Sequence, residues 1–290
     1  MNKHDLENIV SKYINKSETY TEEISEILTK RLAVTFGIGD KKFYKNSVLP
    51  KAWHASMFRP LEATNRLSND GQPKGNQFLP DLPLKKFMLA NREYEFKSNL
   101  YIGGSAKIIS KIESASVKEG KSGLLVFLGI LHKIYSNKSL CIIEKETFVY
   151  KNDSKNQSQK DNDEFIIPPD AIFREFTPTN QFLFRYSAIT FNTHRIHYDY
   201  NFATKIEKYP DLIVNGGIIG ILIANIISKN CSFSISKLSI KYTLPLFVNR
   251  KIKIIIHDKE ENDNAINFHV SILNDENLIS AKAKIVCNKE

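Results

Sequence analysis

The densest run of chemistry-capable side chains in this 290-residue chain is Arg185-Tyr186-Ser187-Ala188-Ile189-Thr190-Phe191-Asn192-Thr193-His194-Arg195-Ile196-His197-Tyr198-Asp199, set between apolar segments. Histidine is the side chain best matched to proton transfer near neutral pH, and a carboxamide can hold a water molecule in line. A little further on, Asn215-Gly216-Gly217 opens an apolar stretch reaching Ile227. If that stretch is helical, its first N–H groups have no intrahelical partner and carry the positive end of the helix dipole. Glycines there allow a ligand to approach the amides closely. Asn192, His197 and the amides of Gly216 and Gly217 therefore contain what addition of water to an activated double bond needs. A base takes the proton, an amide fixes the water, and donors meet the charge growing on a thioester oxygen. Tyr186, Ser187, Arg195 and Asn215 flank this set and are candidates to touch the substrate. The same run also reads as a loop that caps a helix and satisfies backbone groups, and the residues alone leave both readings open. His194, His197 and Asp199 lie close together, but HExxH and paired-cysteine spacings are missing, so no metal is expected. His4, His54, His132, His257 and His269 stand apart and read as surface or capping residues.

The elements that must position these residues follow from periodicity. Leu238, Ile240, Tyr242 and Leu244 alternate with polar residues, as do Ile266, Phe268, Val270 and Ile272, and Ala281, Ala283 and Ile285. Ile252, Ile254 and Ile256 sit two apart. This period marks strands with one buried and one wet face, as in an antiparallel meander. In the first half, strands are expected near Arg92–Lys97, Ser105–Val117, Ser122–Tyr135 and Leu140–Lys151. Before them, Thr19 and Glu22 resemble a capping box ahead of a helix bearing Ile24, Ile27, Leu28 and Leu32. Lys41 to Pro83 is loop-like, rich in Pro and Gly. The stretch from Gly216 to Ile227 is apolar on nearly every side, so a helix there must be buried all round. A central helix wrapped by a curled sheet is the hot-dog arrangement. Because Leu100-Tyr101-Ile102-Gly103 stands where Leu246-Phe247-Val248-Asn249 stands, the pattern reads as a duplicated fold. The expected class is α+β, a double hot-dog of two curled antiparallel sheets, each wrapping a central helix. Its parts are an N-terminal, non-catalytic hot-dog with a leading helix and loop over 1–150, a polar linker over 151–170, and a C-terminal hot-dog carrying the catalytic pair over 171–290.

Composition narrows the function classes. With 41 Lys+Arg against 32 Asp+Glu, net charge +9, 42% hydrophobic and 25% charged residues, the chain has the make-up of a folded globular protein. Three scattered cysteines argue against a disulfide framework or thiolate cluster and for a reducing compartment. The longest apolar run falls short of the ~20 residues that cross a bilayer. The first residues resemble neither a signal nor a transit peptide, so a cytoplasmic protein without membrane contact is expected. The lysines are dispersed and no nucleic-acid-binding motif occurs, so no nucleic acid is expected. A positive field equally suits phosphorylated cofactors or acidic carrier proteins.

At the polar cluster the chain resembles the MaoC-like acyl-CoA hydratase/dehydratase superfamily. It is most similar to the double hot-dog branch with mesaconyl-C4-CoA and itaconyl-CoA hydratases and 3-hydroxyacyl-thioester dehydratases. Phe184 to Ala188, Asn192 to Asp199, Ala203 and Glu207-Lys208-Tyr209-Pro210 carry the likeness. Asp70-Gly71, Gly75, Phe78-Leu79-Pro80, Leu82-Pro83-Leu84, Met88, Lys118 to Gly123 and Glu146 to Tyr150 extend it over most of the chain from Trp53. The resemblance implies that Asn192 and His197 activate the water and that the thioester carbonyl meets an amide of Gly216 or Gly217. It implies a hydro-lyase acting reversibly on an α,β-unsaturated acyl-CoA, with no cofactor beyond the CoA of the substrate. Two alternatives stand beside it: a 3-hydroxyacyl-[acyl-carrier-protein] dehydratase of fatty acid synthesis, with acyl-carrier protein as partner, and an acyl-thioester-binding protein without turnover. A double hot-dog supplies the usual pair of hot-dogs within one chain, and a homo-oligomer beyond that is left open. The chain departs from the pattern at Asn215-Gly216-Gly217, where many relatives have His-Gly-Pro, and at Leu89 and Asn91, near which Trp and Gly-Gly are usual.

Overall fold

The computed structural model describes residues 2–59, 61–74, 78–84, 86–120, 123–152, 165–230, 233–262 and 264–288. Ten strands form one sheet. In the first half these are β1 (Ser17–Glu23), β2 (Lys86–Phe96), β3 (Ser105–Gly120), β4 (Gly123–Ser136) and β5 (Ser139–Lys151). The second half contributes β6 (Ile172–Phe176), β7 (Ser234–Tyr242), β8 (Ile252–Glu261), β9 (Ala265–Leu273) and β10 (Ile279–Asn288). The spatial order β1-β3-β4-β5-β2 is repeated as β6-β8-β9-β10-β7. The halves join where β2 pairs antiparallel with β7, Asn91 opposite Lys241 through Glu95 opposite Lys237.

The alternation read from the sequence is the burial seen: Leu238, Ile240, Ala281, Ala283 and Ile285 are buried, while Lys237, Lys241, Lys282 and Lys284 are exposed. The apolar stretch becomes α4 (Gly216–Asn230), packed against β7. Its isoleucines are poor helix formers by a few tenths of a kcal/mol each. Burying each one is worth about 1.5–3 kcal/mol, and Ile218, Ile219, Ile221, Ile223 and Ile227 are all buried. Burial therefore decides for helix.

The N-terminal half is built differently at its centre. In the second half, Val214 N–H bonds the Leu246 carbonyl and Ile213 bridges Phe247, immediately before α4. In the first half, Leu49 N–H bonds the Leu100 carbonyl and Val48 bridges Tyr101, immediately before a 3-10 turn at Trp53–Ser56. That turn stands where α4 stands, and Trp53 reaches α4 by donating from Nε1 to Asn225 Oδ1 (3.0 Å). The double hot-dog holds, with the first central helix reduced to a single turn. Pro60 supplies a reason in the sequence, since a helix cannot run through it without losing a hydrogen bond.

The cap expected near the N-terminus is corrected, while the helix expected after it is present. Thr19 and Glu22 lie in β1, opposite Ile109 and Ala106, and cap nothing. The helix after them is α2 (Glu26–Thr35), capped by Ser25, whose hydroxyl accepts from the Leu28 N–H at 3.3 Å. A capping box does occur, at Asn2 and Asp5, opening α1 (Lys3–Ser11), a helix not anticipated from periodicity. Of the expected linker, residues 153–164 lie outside the described residues, as do Gly75, Lys121, Ser122 and Cys231.

Candidate active site

α3 (Asn180–Ile189) is capped by Thr179, whose hydroxyl accepts from the Phe182 N–H, and buries Tyr186 and Ser187. Phe191 then turns the chain through a left-handed conformation, φ 50°. The loop beyond it is braced by the N-terminal half. Arg195 N–H donates to the Asp70 carbonyl (2.8 Å), the Thr193 hydroxyl donates to the Gly71 carbonyl (2.5 Å), and Gln72 meets His194 Nδ1 (3.3 Å). Gly71 has φ 85°, and a Cβ there would overlap the Thr193 carbonyl, so only glycine fits.

His197 is 8% exposed and lies at the end of a short 3-10 turn, Arg195–His197. Its Nδ1 is 2.8 Å from the Ile213 carbonyl. A carbonyl only accepts, so Nδ1 carries the proton and Nε2 keeps its lone pair. Burial, then His194 and Arg59, push its pKa down to about 3 against the opposing pull of the Ile213 carbonyl. His194, whose ring centroid is 5.5 Å away, is pushed down to about 4 by burial, with Asp70 opposing. The imidazole of His197 is thus neutral at physiological pH. Ile213 lies three residues before α4, so this one hydrogen bond ties His197 to the helix start.

At that start, the Ile218 N–H turns back to the Asn215 carbonyl (3.1 Å), while the N–H groups of Gly216 and Gly217 have no backbone acceptor among the described residues. Tyr242 holds the Gly216 carbonyl from its hydroxyl at 3.0 Å. A Cβ on Gly217 would stand 2.5 Å from the Tyr186 hydroxyl and 3.6 Å from Arg92 Nη1. Tyr186 is 1% exposed and shares a 3.0 Å hydrogen bond with Ser56 of the N-terminal half. Asn215 is buried with both side-chain polar atoms unpartnered, and Ser187 Oγ is in the same state. Buried polar atoms without partners cost about 1–3 kcal/mol, and those of Asn215 stand at a helix terminus, where a negatively charged oxygen is favoured.

Of the residues singled out from sequence, the structure brings Tyr186 against Gly217 at the start of α4, beside Asn215 and Gly216, and ties His197 to Ile213 just before that start, with Ser187 next to Tyr186 on α3. Asn192 lies in the same loop, its Oδ1 taken by the His194 N–H (3.1 Å) in a local turn. Arg195 is not an open cation. Its Nε and Nη2 grip Asp199 (3.0 and 2.8 Å), its Nη1 donates to the Asn69 carbonyl (2.9 Å), and it stacks on Phe202. It braces the loop to residues 69–72, because the carboxylate four residues on satisfies it locally. Asp199 is occupied by the same contact.

Sequence reading missed a buried charged network beside the site. Arg92 on β2 pairs with Glu144 (3.2 Å) and Glu146 on β5. His54 bonds Glu144 (3.2 Å), and His132 joins Glu146 (3.2 Å) to Ser110 (2.8 Å). The isolated reading of His54 and His132 is therefore corrected: His54 is 1% exposed and both are network members. Burial opposes ionisation throughout, yet Arg92 and His132 hold the Glu146 carboxyl far below its usual range. His54 and Arg92 likewise lower Glu144. Burial also opposes protonation of His132, but Glu146 outweighs it and raises that pKa. The available signal was Glu144 and Glu146 in register two apart within the apolar strand Cys141–Tyr150. A cavity of about 230 Å³ lies at the other end of α4, lined by Ala224, Asn225 and Ser228, away from these groups.

Fold and site together define a double hot-dog hydratase/dehydratase of acyl thioesters. The family model described as hydroxyacyl-thioester dehydratase type 2 matches residues 52–248. The chain belongs to that family, whose reaction class is that of a hydro-lyase. It is 36% identical over 202 residues to a protein named mesaconyl-C(4)-CoA hydratase from Chloroflexus aurantiacus, covering 70% of this chain and 72% of that one. Among solved structures it resembles a MaoC-like dehydratase with TM-score 0.72 and 11% identity, over 96% of this chain and 99% of that one. A Mycobacterium tuberculosis protein described as having a double hot-dog fold superposes with TM-score 0.59 at 9% identity, over 95% and 96% of the two chains. No helix among the described residues is long and apolar enough to cross a membrane.

Proposed function

We propose that the chain adds water reversibly across the double bond of a short α,β-unsaturated acyl-CoA of the mesaconyl kind. His197 Nε2 takes a proton from water, the hydroxide oxygen bonds to the β-carbon, and the electron pair of the double bond moves towards the thioester. The amides of Gly216 and Gly217 receive the enolate-like oxygen at the positive end of α4. The imidazolium then returns its proton to the α-carbon, and one group serving both steps from one side makes the addition syn. Asn192, with Oδ1 engaged by the His194 N–H, has its Nδ2 left to orient the water. The observation that supports this reading is the Nδ1 hydrogen bond to Ile213, which leaves Nε2 with its lone pair and ties the ring to the chain three residues before Gly216. The N-terminal half supplies no base of its own and helps shape the acyl pocket. CoA as the carrier is supported by the 36% identity to the hydratase from Chloroflexus aurantiacus.

The test is hydration of crotonyl-CoA, mesaconyl-C4-CoA and crotonyl-acyl-carrier protein, followed at the enoyl-thioester absorbance. His197→Ala is expected to lower kcat about 10²–10⁴-fold with the fold intact. Near-normal turnover in that variant overturns the assignment, and turnover confined to the acyl-carrier protein substrate reassigns the carrier.

A further inference from the structure

We propose that Arg59 recognises a free carboxylate on the acyl group of the substrate. The segment that carries it is fixed at the site, since Ser56 holds the Tyr186 hydroxyl at 3.0 Å and the Phe58 carbonyl accepts from Tyr20 at 3.3 Å. Arg59 is half-buried, and its Nε is fully buried with no hydrogen-bond partner. Among the described residues no carboxylate pairs with it, whereas Arg66, Arg92, Arg195 and Arg250 each face one and the remaining arginines are exposed. The charge of Arg59 is felt at both Tyr186 and His197, in keeping with its place just after Ser56, which holds the Tyr186 hydroxyl.

An arginine in this state lacks something. Burying one N–H of a guanidinium without a partner is costly, and a planar carboxylate is the group its fork of donors matches best. A solvated surface role would leave Nε wet, and a structural role would give it an acceptor. An acyl group ending in a carboxylate supplies the acceptor only when bound. It also offsets one of the charges that weaken His197 as a base, so the correct substrate strengthens the group that activates water. Selection thus acts on the rate and not only on binding.

This inference rests on the hydration reading, and the experiment separates the two. Mesaconyl-C4-CoA and crotonyl-CoA share the CoA moiety and differ in the acyl carboxylate, as do the unreactive succinyl-CoA and butyryl-CoA. In Arg59→Gln the ratio of kcat/KM for mesaconyl-C4-CoA over crotonyl-CoA is expected to fall on the order of 10²-fold, the usual consequence of truncating one partner of a buried charged pair. The Kd ratio for the saturated pair falls in the same direction, and Arg59→Lys retains part of each. A ratio unchanged within threefold, or equal loss on both members of a pair, overturns the proposal. Equal loss would mean that Arg59 reads the phosphates of CoA or only supports the fold. If the native enzyme hydrates neither substrate, the hydration reading fails, while the succinyl–butyryl comparison still decides the fate of Arg59.

Discussion

Replacing Gly217 by alanine tests the site at its narrowest point. The new methyl would stand 2.5 Å from the Tyr186 hydroxyl, roughly 1 Å inside ordinary contact. Tyr186 cannot easily retreat. It is 1% exposed, lies parallel to Phe182 at 6.4 Å and edge-on to Phe36 at 6.3 Å, and is tied to Ser56. Overpacking of this kind costs about 1–3 kcal/mol, and losing the Ser56 bond adds about 0.5–1.5 kcal/mol. The better helix propensity of alanine returns at most about 1 kcal/mol. The net destabilisation is about 0.5–4.5 kcal/mol, a fall in Tm of roughly 1–15 °C. The rate should suffer more if, as proposed, these amides meet the thioester oxygen, since losing one such donor typically costs 10²–10³-fold in kcat. Tyr186→Phe separates the two effects, since the double variant loses the clashing oxygen. Differential scanning calorimetry should show its stability partly restored while kcat stays low. Wild-type kcat/KM in Gly217→Ala refutes the amide assignment. A double variant that regains both stability and rate assigns the loss to displacement of Tyr186 instead.

Two further perturbations follow from the same geometry. His197 and His194 have folded pKa values of about 3 and about 4, below the ~6.5 of an unfolded histidine. The unfolded chain therefore binds protons that the folded one refuses. The contribution of these two histidines is level above pH ~6.5 and falls as the pH drops from there towards 4, by up to about 1.4 kcal/mol per pH unit for each. Urea midpoints at pH 7.5, 6 and 5 should show this fall, with a shallower slope in His197→Gln, and parallel slopes would count against a neutral buried His197. Arg92→Leu strands Glu144 and Glu146 in the interior and should cost about 3–5 kcal/mol. Replacing both glutamates by leucine in that background should recover much of the loss, and failure to do so would mean that Arg92 stabilises through packing alone.

The sequence displayed some of this arrangement because the relevant signals are local. Leu238, Ile240, Ala281 and Ala283 alternate with lysines, and a period of two needs no knowledge of partners to be read. The length and glycine start of Gly216–Ile227 marked a helix for similar reasons. What stayed hidden depends on contacts distant in sequence. Thr19 and Glu22 match a cap equally well in a strand, and only pairing with Ile109 and Ala106 decides the matter. Arg195 looked free until Asn69 closed on it. His54 and Glu144 lie far apart in the chain, so their hydrogen bond has no local trace.

The shortened first core helix has a consequence for the site. In the second half, the helix after the Leu246 bridge continues for 15 residues and seals the core with isoleucine. The corresponding helix of the first half stops at Ser56, and its chain passes on to the interface with α3. That departure from the repeat is what delivers Ser56 to Tyr186 and Arg59 to the neighbourhood of His197. Arg92, from the strand that joins the two half-sheets, reaches Gly217 across the same boundary. His197 and the Gly216 and Gly217 amides, proposed as base and oxyanion donors, therefore come from one copy of the fold, while Ser56, which holds Tyr186, and Arg59 come from the other. Lengthening the first helix to match the second would improve the internal symmetry and displace Ser56 and Arg59, the side chains proposed to position Tyr186 and to select the substrate.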